Sequence, residues 1–303
     1  ALFEDWASGQ TPYVPPSDIP FALTGVPKPI RIVDADAGAP AARQITLIRS
    51  AVNVGFAGGV NLGLACLRGD RAIDRFWILN PDSVTPPETP RAFATHVGPG
   101  ERFSLMGGRV SYLEPAGTIQ TDGGRITFRT GVTHNINQGL QMGDTPLPAL
   151  KQIDFISGAS MVASRAFYET AGPLPEEYFL YYEEVDWALR RGDLPLAQCP
   201  EALIYHRAGT AIGSHTLTRV ATPFSTYFLY RSRMMFLRRY ARHSLSGAWC
   251  YALAKMVQLT LKGYRGEAMA ILRGCWGGPP PKAVRDRLSP EAARIAFDMR
   301  PKP

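Results

Sequence analysis

The chain is poor in cysteine. Its 303 residues hold four, Cys66, Cys199, Cys250 and Cys275, all far apart. There is no Cys-x-x-Cys pair and no local Cys/His cluster, so nothing in the spacing suggests zinc. The expectation is four reduced and mostly buried thiols in a cytosolic protein. Long apolar runs are also missing. The richest stretch, 248–261, is interrupted by Lys255 and Gln258, and a spanning helix needs about 18–20 apolar residues. No signal peptide opens the chain. The expected location is therefore cytoplasmic, with peripheral contact at the inner face of the cell membrane left open. No base-stacking motif or nucleic-acid module is present, which argues against a nucleic-acid partner.

What is present fits a soluble globular protein, with 45% apolar and 19% charged residues. The net charge of +7 is unevenly placed. Residues 231–303 carry 15 Lys/Arg and 4 Asp/Glu, or +11, and the other 230 residues carry 18 and 22, or −4. A mildly acidic body with a basic tail points to an anionic surface as partner, a lipid membrane ahead of nucleic acid. The bland reading of the tail is a solvated helical cap, or a surface through which the C-terminal helices form an oligomer.

Short apolar runs at 21–24, 30–33 and 45–48 have strand length. A glycine-rich turn from Asn53 to Gly63 leads into a helix through Leu67. A buried-type strand at 76–79 stops at Asn80-Pro81-Asp82, and a helix is expected near 89–96. Strands and turns should fill 104–128, with Gly123-Gly124 as a hairpin signal. Residues 131–150 suggest a mobile loop. An apolar run at 153–162 leads into a helix near 165–171. Residues 178–191 suggest a further helix, and 202–205 a strand ending at His206. From 226 the chain turns helical and basic, with a stiff Gly-Gly-Pro-Pro-Pro linker at 277–281 and a last helix at 290–297. Strand, glycine turn, helix, strand and acidic turn in this order indicate an α/β sheet with its ligand site at the strand ends.

Four segments could carry chemistry. Gly55, Gly58, Gly59 and Gly63, flanked by Asn53 and Asn61, would let backbone N–H groups approach a phosphate or ribose. The spacing is not the Gly-x-Gly-x-x-Gly of dinucleotide enzymes, which weakens an oxidoreductase reading. Asp82, at the end of a strand, could hold Mg²⁺ or Mn²⁺ against a diphosphate. The alternative is a simple Asx-Pro turn. Glu183, Glu184 and Asp186 crowd beneath Phe179, Tyr181 and Tyr182, and carboxylates beside apolar rings should have raised pKa values suited to proton acceptance. Asp186 could instead pair with Arg190 one turn on. His206 could ligate a metal or bind phosphate, although a lone histidine is more often structural.

Together and in order, these segments resemble the inverting glycosyltransferases of the GT-A fold, family 2, and particularly their rhamnosyltransferase-like members. The resemblance covers about 45–240. It rests on Asn53-x-Gly-Phe-x-x-Gly-x-Asn-x-Gly63, Leu79-Asn-Pro-Asp82, Gly117-Thr-Ile-Gln120 with Gly123, and Gly158-Ala-Ser-Met161. Gly172-x-x-x-x-Glu177-x-Phe179-Leu-Tyr-x-Glu-Glu-x-Asp186, Tyr205-His206 and Tyr230-Arg231 complete it.

The resemblance implies a mixed, mainly parallel sheet flanked by helices over 1–225, and a basic helical region over 226–303. It implies a nucleotide-diphosphate sugar as donor, UDP- or dTDP-linked, and a saccharide or lipid-linked acceptor. Asn53, Gly55, Gly59, Asn61, Asn80 and Asp82 would lie near the donor. Gly158, Ala159, Ser160 and Asp186 would lie on the acceptor side. Asp82 and His206 would share a divalent metal, Mg²⁺ or Mn²⁺, with Asn80 replacing the first Asp of the family's Asp-x-Asp motif. Glu184 aligns with the catalytic base, usually Asp, and Glu183 with the Glu before it.

Two departures matter. The Glu184 arm is one methylene longer than the family's, and the family's N-terminal Asp-Asn loop is not found. Residues 21–24 begin as a strand yet run directly into Gly25-Val-Pro. The expectation is that chain is missing after Thr24 and before Ala1. The rival reading is an inactive nucleotide-sugar or carbohydrate-binding protein on the same fold, for which Asn80 and Glu184 would be marks of lost activity.

Overall fold

The structure is a computed structural model. It describes residues 8, 19, 21, 31–34, 46–98, 100–207, 213–214 and 219–297. The Thr24–Gly25 junction, where missing chain is expected, lies outside the described residues.

Strands β1 (Arg31–Asp34) and β2 (Thr46–Arg49) form a parallel two-stranded sheet. Helix α1 (Gly55–Leu67) leads to β3 (Arg75–Leu79), β4 (Ser83–Val84) and α2 (Thr89–Thr95). Then come β5 (Leu105–Tyr112), β6 (Ile119–Thr121), β7 (Gly124–Thr127) and β8 (Val132–Asn135). After them, β9 (Ser160–Ser164), α3 (Arg165–Ala171), α4 (Glu183–Leu189) and β10 (Ala197–His206) complete the first two thirds of the chain. The main sheet has the order β3-β9-β5-β10-β4, with β6 also on β5. Seven of the eight β5 residues are buried, as a central strand requires.

The fold is mixed α/β, but the main sheet is not mainly parallel. Only β5 and β10 run parallel; β3–β9, β9–β5, β5–β6 and β10–β4 are antiparallel. Apolar runs reveal strands but not their direction, which is set by the long connections between them. Gly123-Gly124 is not a hairpin turn. It is the corner between β6 and β7, and the β7–β8 hairpin turns at 128–131. The segment 131–150 is tied down rather than loose. Arg109 grips Asp122 through two 2.8 Å bonds, and its guanidinium also donates to the Met142 and Thr145 carbonyls. Asn137 donates to the same Asp122 carboxylate.

The last third is helical: α5 (Pro223–Tyr240), α6 (Leu245–Leu261), α7 (Arg265–Trp276), α8 (Lys282–Arg285) and α9 (Pro290–Phe297). Helix α5 starts with Thr222 as its cap, whose hydroxyl accepts from the Ser225 N–H, and Pro223 in the first turn. The division expected at 225/226 falls inside this first turn. Tyr230, Met234, Phe236 and Leu237 of α5 share one apolar core with Phe76, Phe155, Phe167 and Trp187.

Candidate active site

The ends of β3, β5 and β10 and the start of β9 meet at one edge of the sheet. There the Asp82 and His206 side chains, 124 positions apart in sequence, approach to 3.0 Å between Oδ1 and Nε2. The fold brings them together through the β4–β10 ladder, in which His206 faces Ser83. Their separation is that of a hydrogen-bonded pair. The Asn80 amide lies 3.3 Å from the same Nε2. On the far side of the ring, Nδ1 is 2.9 Å from Gln120 Oε1. Burial lowers the His206 pKa, opposed by the Asp82 charge. The ring is thus neutral at pH 7.

This pair fits a small divalent cation. A neutral imidazole held on one nitrogen by a side-chain carbonyl presents the other nitrogen's lone pair. With the ring proton on Nδ1, donated to Gln120, Nε2 would be open to a cation shared with Asp82; with the proton on Nε2, that nitrogen donates to Asp82 Oδ1 at 3.0 Å. Gln120 had no role assigned from sequence, although it stands in the Gly117–Gln120 motif.

The second carboxylate group lies at the start of α4, on unusual backbone. Phe179, Tyr181 and Tyr182 all have positive φ, +65°, +66° and +72°, a region that side-chain-bearing residues adopt at a cost of about 1–3 kcal/mol each. The surroundings hold them there. Tyr181 Oη meets the Ser214 and Ser225 hydroxyls at 2.5 Å, and Tyr182 Oη donates to the Gly131 carbonyl. Ser232 of α5 donates to the Leu180 carbonyl. The Phe56 N–H donates to the Phe179 carbonyl, so the N-terminus of α1 is fastened to the same loop.

This loop presents Glu183 and Glu184 differently. Glu183 is buried, and its Oε2 has no hydrogen-bond partner. Burial, reinforced by Glu184, raises its pKa well above the usual carboxyl range. Glu184 is only half-buried. Burial raises its pKa to about 7, against backbone N–H groups that lower it. Its carboxyl carbon lies 4.0 Å from where a Cβ on Gly158 would stand, with the Phe56 ring on the same glycine. The next residue, Ala159, accepts from the Asn80 N–H at 3.0 Å. Through Gly158–Ala159–Asn80, Glu184 is linked to the edge that carries Asp82.

A cleft of about 460 Å³ adjoins this edge, between α1 and β3. Gly55, Gly59 and Gly63 form its glycine wall, and Asn80 and Pro81 lie at its end. A side chain at Gly59 or Gly63 would meet nothing within 4 Å, so the helix backbone is open to the cleft.

Several expected ligand residues have other work. Asn61 is a latch: its amide donates to the Leu174 carbonyl and Glu176, and its oxygen accepts from the Leu174 N–H. The Asn53 side chain accepts from the Gly55 N–H at the start of α1. Ser160 is buried and accepts from the Trp77 indole. Asp186 does not face an acceptor. It is fully buried and accepts from Tyr178, Arg190, Arg239 and Tyr240.

Away from this edge, His96, Cys199 and Glu201 come together, their ligand-type atoms within 4.8 Å of one another. His96 stands more than 100 positions before Cys199 and Glu201, so spacing does not reveal the group. Burial, then Glu201, pushes the Cys199 thiol up to about 11. It is therefore a thiol that donates to the Glu201 carboxylate at 3.5 Å.

No protein-family model matches the chain. The low-salt glycan biosynthesis hexosyltransferase Agl10 of Haloferax volcanii is similar to it, 25% identical over 203 residues. The match covers 63% of this chain, and the chain spans 60% of that relative's length.

Proposed function

We propose that this protein is a glycosyltransferase of the GT-A type, in family 2 and rhamnosyltransferase-like. It would move a sugar from a nucleotide-diphosphate donor, UDP- or dTDP-linked, to a hydroxyl on a saccharide or lipid-linked acceptor, with inversion. The observation that carries this reading is an Asp82–His206 pair at the sheet edge together with the Glu184 carboxyl group, its pKa raised to about 7, which is tied to that edge through Gly158–Ala159–Asn80. The similarity to a hexosyltransferase supports the same class.

On this reading the donor lies in the cleft beside α1, where Gly59 and Gly63 leave room for it. Asp82 and His206 would hold Mg²⁺ or Mn²⁺, with Gln120 orienting the imidazole. When bound, that ion supplies positive charge against the leaving diphosphate. Glu184 takes the proton of the acceptor hydroxyl. The acceptor oxygen forms its bond to the anomeric carbon from the face opposite the diphosphate, and the electron pair of the breaking C–O bond leaves with the nucleoside diphosphate. Gly158 keeps space beside Glu184 for the acceptor. Glu183, buried beside it with a raised pKa, holds its own proton more tightly than an ordinary carboxyl group does.

The test is a panel of UDP-, dTDP- and GDP-sugars incubated with the protein and Mg²⁺ or Mn²⁺. Release of nucleoside diphosphate from one donor class, dependent on the ion and lost in Asp82→Ala, supports the reading. Tight donor binding without turnover for any donor and acceptor would favour the non-catalytic alternative. We further place the reaction at a membrane surface, on the strength of the basic C-terminal helices.

A further inference from the structure

Helix α6 keeps one face toward the core, through Ala248 and Ala252, which are buried. Its other face is apolar as well. Leu253, Val257 and Leu261 recur at a spacing of four, so they form one row along the helix. They are 50%, 60% and 84% exposed. The row starts at half-buried Trp249, one step of four earlier. There the Trp276 ring, 74% exposed at the end of α7, meets Trp249 edge-on at 6.4 Å. At 1.5 Å per residue, the row from Trp249 to Leu261 is about 18 Å long. A continuous exposed apolar row of this kind marks a binding surface.

The charge around it chooses the partner. Not all of the basic excess after residue 230 is available. Arg231 and Arg233 are buried in α5, and Arg239 is engaged by Glu177 and Asp186. Arg238 and Arg242 are exposed at and just after the end of α5, and most of the rest lies with the outer helices. Residues 245–297 carry eight Lys/Arg and three Asp/Glu, or +5. Lys262, Arg265 and Arg273 are exposed. A second copy seated on this face would bring +5 against +5. An anionic bilayer satisfies the apolar row and the charge together. No helix among the described residues is long and apolar enough to cross a membrane, so α6 would lie along the interface, with tryptophan at one end of the row and basic residues at the other.

We propose that the Trp276–Trp249–Leu253–Val257–Leu261 row is a docking face for an anionic phospholipid bilayer. This deepens the membrane placement above but rests on the α6–α7 surface alone, and its test does not involve catalysis. The full chain is floated with vesicles of phosphatidylcholine alone, or of phosphatidylcholine with one third phosphatidylglycerol. Binding to the anionic vesicles should be at least about tenfold stronger and should weaken with salt. The variant Leu253→Ser/Val257→Ser/Leu261→Ser should lose about tenfold or more of that binding. Its melting temperature and its donor turnover in solution should be unchanged. Cys250 is the exposed cysteine of the four and lies on α6 beside the row; bimane attached there should shift to the blue on anionic vesicles. Equal binding by the serine variant, or no binding by the wild type, overturns the proposal. So does a wild-type dimer that the serine variant converts to monomer without any vesicle binding, which would identify a second copy as the occupant.

Discussion

Glu184 and His206 owe their properties to burial, and each leaves a pH signature. Burial raises the Glu184 pKa to about 7. A base must be ionised to accept a proton, so kcat/KM should rise with pH through about 7. A profile flat between pH 5 and 8 would count against Glu184. Stability moves the other way. The folded state holds this proton more tightly than the unfolded chain, so the contribution is full at acid pH and is lost as pH rises through about 7. His206 has the opposite sign: its lowered pKa stabilises the fold above about 6.5, and that contribution is lost as pH falls further. In the proposed metal site, Gln120 would act on the ion only through His206. Gln120→Leu should raise the ion concentration needed for half-maximal activity about 10–100-fold with the fold unchanged; an unaltered requirement would leave Gln120 without this role. The three titratable members of this group stood out in the sequence because carboxylates and a histidine ended strands or crowded aromatics. Gln120 did not, because an amide in a motif gives no hint of what it will orient.

At the scale of elements, the N-terminus of α1 and the 179–182 loop act as one unit. Gly55 has φ +79°, and a Cβ there would press into the Phe179 backbone carbonyl. Gly55→Ala should therefore cost about 2–4 kcal/mol, from left-handed strain and overpacking together. It should also displace the loop that aims Glu184, so the melting temperature and turnover fall together. Full activity at unchanged stability would show that the two elements are not coupled. The glycine-rich stretch expected as a turn is itself most of α1, whereas strand β3, α3 and α9 were legible from apolar runs and a proline. The left-handed aromatics were not, since Phe, Tyr and Tyr carry no preference for positive φ. Their conformation is imposed by partners at Gly131, Ser214, Ser225 and Ser232. Sheet direction escaped for a related reason: β9 and β10 return to β5 through connections whose course no local pattern encodes.

For the molecule as a whole, α5 is a pedestal, and Asp186 is the pin between it and the sheet domain. The buried carboxylate holds Arg190 from its own helix, and Arg239 and Tyr240 from the end of α5. Only the Arg190 contact could be read from the sequence, at one helical turn; the other two lie more than 50 residues on. Removing one partner of a buried ion pair costs about 3–5 kcal/mol. The Arg239 side chain is 41% exposed, so Asp186→Ala should cost somewhat less, roughly 2–4 kcal/mol. Thermal unfolding measures it, and a melting temperature within a degree of wild type would remove Asp186 from this role. The central claim is that this assembly presents Glu184 as the base for sugar transfer. Its most direct test compares wild type with Glu184→Gln on the donor that the panel identifies, measuring turnover and donor affinity side by side. Gln keeps size and hydrogen bonding but cannot take the proton. Turnover should fall by roughly 10²–10⁴-fold with donor affinity unchanged, and Glu184→Asp should retain activity. Full turnover in Glu184→Gln would contradict the account.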